Sequence, residues 1–253
     1  MKPRLAMFSF TSCEGCQLQI LNLEDELLDL LNSVDIVNFR EAIDEKSQDY
    51  DIAFVEGSIT TQSDEKEVLD IRSKAKLVVS IGSCACIGGV NALKNTHSID
   101  DCLKEVYSDK SYAFNTSYTR RVRDVVDVDY EIHGCPIGKK EFVDVCKKLL
   151  FGIPLKQPTH AVCTECKMDG NVCLYHKGEV CLGAITRGGC EAICPRFGES
   201  CHGCRGFLDG ANVKGMVDVL KLNGKKDGEI RNIFSYFNGI KTLEEHLDEK
   251  AGY

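Results

Sequence analysis

Cysteine is the residue type through which this sequence can do chemistry. The chain has 253 residues, of which 15 are cysteines. The count is odd, and the N-terminal stretch MKPRLAMFSFTSC lacks the small-residue cleavage site of a secretory signal. Because thiols stay reduced in the cytosol, these features predict a cytoplasmic protein whose cysteines bind metal rather than form disulfides.

Four cysteines follow predicted strands. The loops that carry them read TSCEGC, GSCAC and HGCP, and each contains glycine. Because the carboxyl ends of parallel strands meet at one edge of an open α/β sheet, we expect these thiols to lie together. Four thiolates suit a zinc ion or an iron–sulfur cluster. The residues expected at this site are Cys13, Cys16, Cys84 and Cys135.

Two simpler interpretations compete at the first of these loops. Cys13 and Cys16 have CxxC spacing, which alone fits a redox dithiol as well as half of a cluster site. A flavin phosphate is a further alternative, with Thr11 and Ser12 as donors, but two thiols in the loop argue against it. The convergence of three strand ends favours a cluster, and loop glycines let backbone N–H groups approach inorganic sulfide.

A second group of eight cysteines lies between residues 163 and 204 in glycine-rich sequence. A zinc ribbon would pair CTEC with CHGC and leave four cysteines unexplained, whereas two four-cysteine clusters use all eight. Cys194 precedes a proline, as ferredoxin ligands do. This segment has too few apolar residues to form a core of its own, and cluster formation would supply the missing folding energy. The eight are Cys163, Cys166, Cys173, Cys181, Cys190, Cys194, Cys201 and Cys204.

The three remaining cysteines are expected to be structural. Cys102 and Cys146 fall in helical apolar patterns, where a small buried hydrophobic side chain is the expectation. Cys86 is two residues from Cys84, and the sequence leaves open whether it replaces Cys84 as a ligand.

Four polar residues near these motifs are candidates for supporting roles. His133 and His202 adjoin predicted ligands and are candidates for hydrogen bonding at a cluster, although a solvent-facing or structural histidine explains each equally well. Glu14 is best explained as a surface carboxylate rather than part of a proton route. Glu56 follows a strand that faces the predicted site and is the stronger polar candidate.

The elements that must position these residues alternate between strand and helix. Strands are predicted at Arg4–Thr11, Val34–Phe39, Asp51–Val55, Lys76–Ile81 and Val128–His133, and helices at Gln17–Leu31, Asp64–Lys74 and Lys139–Leu150. This order predicts an α/β domain with a mostly parallel sheet over residues 1–153. Residues 154–253 are predicted as a small, irregular cluster-bearing domain, ending in a charged helical tail.

Charge and hydropathy exclude two classes of partner. The formal net charge of −8 argues against nucleic-acid binding, and the basic cluster Arg120, Arg121 and Arg123 is predicted to be a solvated loop. No apolar run reaches the roughly 18 residues that a membrane span needs, so no span is predicted.

Five segments together resemble the small subunit of [NiFe] hydrogenases of the cytoplasmic group 3 type. This group includes sulfhydrogenase delta subunits and the small subunits of F420-reducing and non-F420-reducing hydrogenases. The resemblance runs in order from about residue 4 to residue 210. The segments are TSCEGCQLQ, FVEGSIT, SIGSCACIGG, HGCP and CLGAITRGGCEAICPRFGESCHGCRG.

The resemblance implies a flavodoxin-like domain followed by a smaller domain, with three [4Fe–4S] clusters. Better-known members have a histidine where this chain has Cys163, and a proline beside a three-iron cluster where it has Cys194. Four iron atoms in the medial cluster are therefore implied. The implied ligands are Cys13, Cys16, Cys84 and Cys135 for the proximal cluster, Cys163, Cys166, Cys173 and Cys181 for the distal cluster, and Cys190, Cys194, Cys201 and Cys204 for the medial cluster.

The function implied by the resemblance is electron transfer. The nickel–iron site is expected in a separate large subunit, so this chain holds no catalytic residue, and a further flavin or iron–sulfur reductase subunit is expected as electron partner. Two alternatives are an iron–sulfur subunit related to complex I, against which the eight later cysteines argue, and a zinc-stabilised binding module. The terminal acceptor is not specified by the sequence.

Overall fold

A parallel sheet forms the first part of the chain. The computed structural model describes residues 2–44, 46–108, 110 and 114–248. The strands are β1 (Arg4–Ser9), β2 (Asp35–Phe39), β3 (Ile52–Glu56), β4 (Leu77–Ile81) and β5 (Tyr130–Ile132). All their pairings are parallel, in the order β2-β1-β3-β4-β5. This is the flavodoxin-like order, so the predicted α/β class with a parallel sheet is confirmed.

Helices connect the strands and then continue into the C-terminal region. Around the sheet they are α1 (Gly15–Leu21), α2 (Asp25–Leu31), α3 (Gln62–Lys74), α4 (Gly82–Ile87), α5 (Ile99–Tyr107) and α6 (Lys139–Leu150). Beyond it they are α7 (Val162–Met168), α8 (Ile193–Arg196), α9 (Val213–Leu222), α10 (Asp227–Asn238) and α11 (Leu243–Asp248). Within the described residues, 3₁₀ helices include Gly89–Thr96, Val122–Asp124 and Leu174–Lys177.

The sheet is buried on both faces. Successive strand residues point to opposite sides, so Leu5 belongs to one apolar layer and Ala6 to the other. Phe54 and Phe142 pack in the first layer with ring centroids 5.2 Å apart. This double covering explains why the strands are almost continuously apolar and lack a polar face.

One predicted helix is wrong as a single element. The segment Gln17–Leu31 is divided into α1 and α2, and Glu24 between them has φ 54° and ψ −119°, outside the helical region. The predicted strand Arg4–Thr11 ends earlier, at Ser9, although Phe10 still donates to the Glu56 carbonyl at 2.8 Å.

The C-terminal region has a small apolar core that also contacts the sheet region. Leu182, Leu220 and Phe234 are buried in it. Helix α10 packs against the 3₁₀ helix Gly89–Thr96. The predicted helical tail is confirmed as α9, α10 and α11, and its last residues, 249–253, lie outside the described residues. No helix in the described parts of the chain is both long and apolar enough to cross a membrane.

Candidate functional site

The first cysteine set lies at the carboxyl ends of β1, β4 and β5. Burial and the nearby Cys135 and Cys13 thiols raise the pKa of Cys84 to about 12. Burial and the Cys13 thiol also raise the pKa of Cys135, and burial, Glu56 and Cys135 raise that of Cys16. Cys13, Cys84 and Cys135 therefore lie near one another, and Cys16 lies near Cys135.

Glycine shapes the space beside these thiols. Gly82 has φ +85°, and a Cβ added to it would overlap the Sγ of Cys16. A Cβ on Gly89 would lie 3.2 Å from the Sγ of Cys84. Side chains at these positions would occupy the space around the sulfurs, so the glycines leave a cradle that fits an inorganic cluster.

Glu56 fixes the loop that carries Cys16. The side chain is buried at the end of β3, and its two carboxylate oxygens accept the backbone N–H groups of Cys16 and Gln17 at 3.1 Å each. Burial raises the pKa of Glu56, and those N–H groups partly oppose the shift. The carboxylate thus takes the place of a side-chain cap at the start of α1.

Cys84 and Cys86 occupy different environments on α4. The Cys86 thiol is fully buried and faces the carbonyls of Ser80 and Ile132, at 3.6 Å each. Cys84 is partly buried and lies near the Cys135 and Cys13 thiols of the first set. Cys84 thus lies near two strand-end thiols, Cys13 and Cys135, whereas Cys86 lies near one, Cys16.

The second set surrounds the start of α7. Burial and the thiols of Cys181, Cys166 and Cys173 raise the pKa of Cys163 to about 11. A Cβ on Gly183 would lie 3.4 Å from the Sγ of Cys163 and 3.5 Å from that of Cys181. The structure therefore brings these four cysteines together, again around a glycine.

The third set, Cys190, Cys194, Cys201 and Cys204, lies next to the second. Burial raises the pKa of Cys204 to about 12, and the thiols of Cys190 and Cys194 act in the same direction. Burial also raises the pKa of Cys201 to about 12, with Cys204 among its neighbours. Cys194 is exposed on α8, whereas Cys201 is buried.

The three sets touch in series. The backbone N–H of Cys201, in the third set, donates to the Sγ of Cys181, in the second, at 3.3 Å. The backbone amide of Cys135, in the first set, faces the Cys204 thiol and opposes the rise in its pKa. The hydroxyl of Ser83, beside Cys84, donates to the Cys204 carbonyl. The third set therefore lies between the other two.

Arg205 joins the sheet region to the third set, and sequence reasoning missed it. Its side chain is 1% exposed and forms a bidentate ion pair with Glu141 on α6. It also donates to the carbonyls of Gly188, at 2.7 Å, and His133. Its position directly after Cys204 is the only signal that the sequence offered.

Glu165 was also missed, and it organises the backbone around Cys190. Its carboxylate accepts the N–H of Ala192 at 3.1 Å and that of Gly189, and it contacts the His160 ring at 2.7 Å. Burial raises its pKa, but these hydrogen bonds outweigh that effect and the net pKa is lowered.

The other candidates have mixed outcomes. Glu14, predicted as a surface carboxylate, is only partly exposed: it pairs with Arg40 and accepts the Ser9 hydroxyl at 2.7 Å. His202 is exposed and meets the ring of Tyr236 edge-on at 5.8 Å. His133 is buried, and burial together with nearby arginines lowers its pKa to about 3.

The two structural cysteines differ from each other. Cys146 is buried against the sheet, so that prediction is confirmed. The prediction of a buried Cys102 is wrong: it is only partly buried, because helix α5 has no fully buried residue.

The donors in all three sets are cysteines. Among the residues that the structure describes, no three His, Cys, Asp or Glu side chains are grouped tightly enough to hold one metal ion. Four cysteines per set are the ligand type and number that iron–sulfur clusters use.

Comparison with known proteins gives the family. Residues 13–149 match the family described as NADH ubiquinone oxidoreductase, 20 Kd subunit. The chain is 36% identical over 220 residues to the delta chain of sulfhydrogenase 2 of Pyrococcus furiosus, covering 86% of this chain and 92% of that protein. It is 32% identical over 284 residues to a subunit of the F420-non-reducing hydrogenase vhu of Methanocaldococcus jannaschii, covering 98% of each.

Solved structures give the same result. A NAD⁺-reducing [NiFe]-hydrogenase chain is 26% identical, with a TM-score of 0.56, over 62% of this chain and 96% of that one. An actinobacterial-type NiFe-hydrogenase chain from Ralstonia eutropha H16 has a TM-score of 0.61 at 15% identity, which shows the fold alone, over 89% and 92%. The strand-end cysteines, the sheet order and these likenesses agree: the chain belongs to the NADH ubiquinone oxidoreductase 20 Kd subunit family, among its [NiFe] hydrogenase small-subunit members.

Proposed function

We propose that this chain is the electron-transfer small subunit of a [NiFe] hydrogenase and holds three [4Fe–4S] clusters. The observation that carries the proposal is the serial contact of three four-cysteine sets, with Cys201 donating to Cys181 and Cys204 lying beside Cys135. When bound, the clusters would accept and release one electron at a time. Each set contacts the next one along the series, as a relay requires.

The proposed ligands divide into three sets by their neighbours. The proximal set is Cys13, Cys16, Cys84 and Cys135, the medial set Cys190, Cys194, Cys201 and Cys204, and the distal set Cys163, Cys166, Cys173 and Cys181. Within them, Glu56 orients Cys16 through its backbone, and Arg205 contributes positive charge beside Cys190 and Cys204. Burial of Cys16, Cys166 and Cys201 would limit the access of water to bound clusters and tune their reduction potentials.

The proposed partners are based on the relatives, which are themselves subunits of hydrogenases. We propose a large subunit carrying the nickel–iron site, a further flavin or iron–sulfur reductase subunit as electron partner, and a cytoplasmic complex. We also propose residues 1–153 as the proximal-cluster domain and residues 154–253 as the medial and distal domain. The terminal acceptor would bind on a partner subunit.

A one-cluster relative of complex I is the second candidate, because the family model matches only residues 13–149. Iron and acid-labile sulfide analysis of the anaerobically purified chain separates the two. The hydrogenase proposal predicts about twelve iron and about twelve sulfide per chain, whereas about four of each would indicate the one-cluster relative. Zinc without sulfide would overturn both. Co-purification with a nickel-containing large subunit is the matching test of partnership.

Cys194 gives a sharper test of the medial assignment. Replacing it by proline removes one proposed ligand from an exposed helix, so EPR of the oxidised variant should gain a three-iron signal. Cys102→Ser is the control, since Cys102 is partly buried on α5, outside all three sets. An unchanged spectrum in Cys194→Pro would remove Cys194 from the ligand set.

A further inference from the structure

A polar cavity of about 580 Å³ lies between the β5 edge of the sheet and the segment that follows the last cysteines. None of the twelve proposed ligands lines it. Four arginines do, from both sides of the cavity: Arg121, Arg123, Arg187 and Arg205. Its volume is in the range of small-molecule sites and far exceeds that of one water molecule.

Arg187 is a buried side chain whose hydrogen-bonding groups the protein satisfies only in part. It is only 9% exposed, yet its Nε has no hydrogen-bond partner. Its terminal nitrogens make long contacts to the carbonyls of Pro158, at 3.3 Å, and Phe207, at 3.4 Å. Guanidinium nitrogens only donate, so the missing partner must be an acceptor. An unmade hydrogen bond on a buried cation is unfavourable, which favours a bound anion.

The carboxylate that now faces Arg187 is replaceable. Asp209 contacts an Nη of Arg187 at 3.2 Å, but its side chain is 94% exposed. An exposed ion pair of this kind contributes little stability, because water and salt compete with it. An incoming anion therefore displaces a solvated side chain from Arg187, at little loss of protein stability.

The three other arginines that line the cavity each pair with a carboxylate, Arg121 with Asp124 among them, and Lys241 lines the cavity as well. Arg205 is held by Glu141, and Arg123 contacts the buried Glu131 at 3.0 Å. His133 also lines the cavity, is 4% exposed, and has an Nδ1 without a partner. Two buried nitrogens without partners thus border the same space.

We propose that this cavity binds a small molecule carrying a phosphate or carboxylate group, with Arg187 as its main contact. The planar guanidinium fork matches two oxygens of such a group. The inference goes beyond the electron relay and does not depend on how many clusters the chain holds.

The test is calorimetric titration of the full chain, purified anaerobically, with inorganic phosphate, pyrophosphate and succinate against chloride at matched ionic strength. We expect saturable binding of one anion per chain, and the three probes distinguish phosphate from carboxylate. Arg187→Gln should weaken binding about tenfold or more, as loss of a charge-assisted hydrogen bond does. Asp209→Asn should tighten binding about threefold, because it removes the competing carboxylate.

Asp209→Asn keeps the proposal testable even where Arg187→Gln disturbs folding, since Asp209 is exposed and Arg187 stays in place. Asp29→Asn is the matched control: it makes the same charge change on an exposed residue of α2 and should leave affinity unchanged. Absence of saturable binding by all three probes would overturn the proposal. Equal anion affinities in wild type, Asp209→Asn and Asp29→Asn would also overturn the proposal, because they would mean that Asp209 does not compete with the anion for Arg187.

Discussion

Arg205 and Glu141 form a buried ion pair whose two hydrogen bonds, Nη1 to Oε2 and Nη2 to Oε1, both measure 2.8 Å. Glu141 lies on α6 beside the sheet, and Arg205 directly follows Cys204. The fork of the guanidinium and the two carboxylate oxygens match in geometry, which fixes orientation as well as distance. The pair thereby sets the position of the third cysteine set relative to the first.

Glu141→Gln tests this pair. The substitution leaves Arg205 charged and buried without its counter-ion, and breaking a buried pair in this way costs about 3–5 kcal/mol. We expect a clearly lower guanidinium chloride midpoint for loss of the native fold. Glu244→Gln is the control, because its pair with Arg231 has the same 2.8 Å distance but is exposed. It should cost less than about 1 kcal/mol. Equal losses in the two variants would contradict the role of burial.

The sequence predicted the sheet and the strand-end cysteines but not this pair. Alternating strands and helices indicate a parallel sheet, and a parallel sheet brings Cys16, Cys84 and Cys135 to one edge whatever the details of the loops. Arg205 is different, because its burial depends on a partner 64 positions away. No local pattern encodes such a contact.

Two further errors have the same origin. The apolar spacing of Gln17–Leu31 continues across the break at Glu24, so periodicity could not reveal that the helix divides. The spacing around Cys102 indicates an apolar helix face but not whether another element covers it, and α5 has no fully buried residue. The spacing of apolar residues shows which face of a helix is apolar, whereas the tertiary fold decides whether that face is buried.

Gly82→Ala should disrupt the first cysteine set. Gly82 has φ +85°, and an added Cβ would overlap the Sγ of Cys16, so the thiol must move. We expect iron content to fall by about four per chain, the content of one cluster. Gly152→Ala separates sterics from backbone strain: Gly152 has φ +63° but no atom within 4 Å of the added Cβ. It should lose about 1–2 kcal/mol of stability and keep its iron. Full iron content in Gly82→Ala would contradict the claim that Gly82 leaves space for a cluster beside Cys16.

Glu56→Ala should loosen the loop that carries Cys16. The two backbone N–H groups that Glu56 accepts would lose their acceptor, and hydrogen bonds to a charged group are each worth about 1.5–3 kcal/mol. Amide hydrogen exchange at residues 16–17 should accelerate about tenfold or more. Glu56→Gln, which retains one acceptor oxygen, should have a smaller effect. Glu65→Ala removes an exposed carboxylate paired with Arg120 and should leave the loop unchanged. Unaltered exchange in Glu56→Ala would contradict the capping role.

Iron removal should unfold the second and third sets while the sheet persists. One local core there consists of Val162, Cys166, Ala192 and Cys201, two of which are proposed ligands, and Leu182 and Ile185 of this segment belong to the C-terminal core. So small an apolar core cannot offset the conformational entropy of the segment without metal. The sheet has an apolar layer on each face and needs no such support.

Hydrogen exchange with and without an iron chelator, under reducing conditions, measures this difference. Peptides from residues 160–206 should lose protection after chelation, because metal binding supplies their folding energy. Peptides spanning β3 and α3 serve as the internal control and should remain protected. Equal loss of protection in both regions would mean that the fold unfolds as one unit, and retained protection at residues 160–206 would show that the cysteine-rich segment is stable on its own packing.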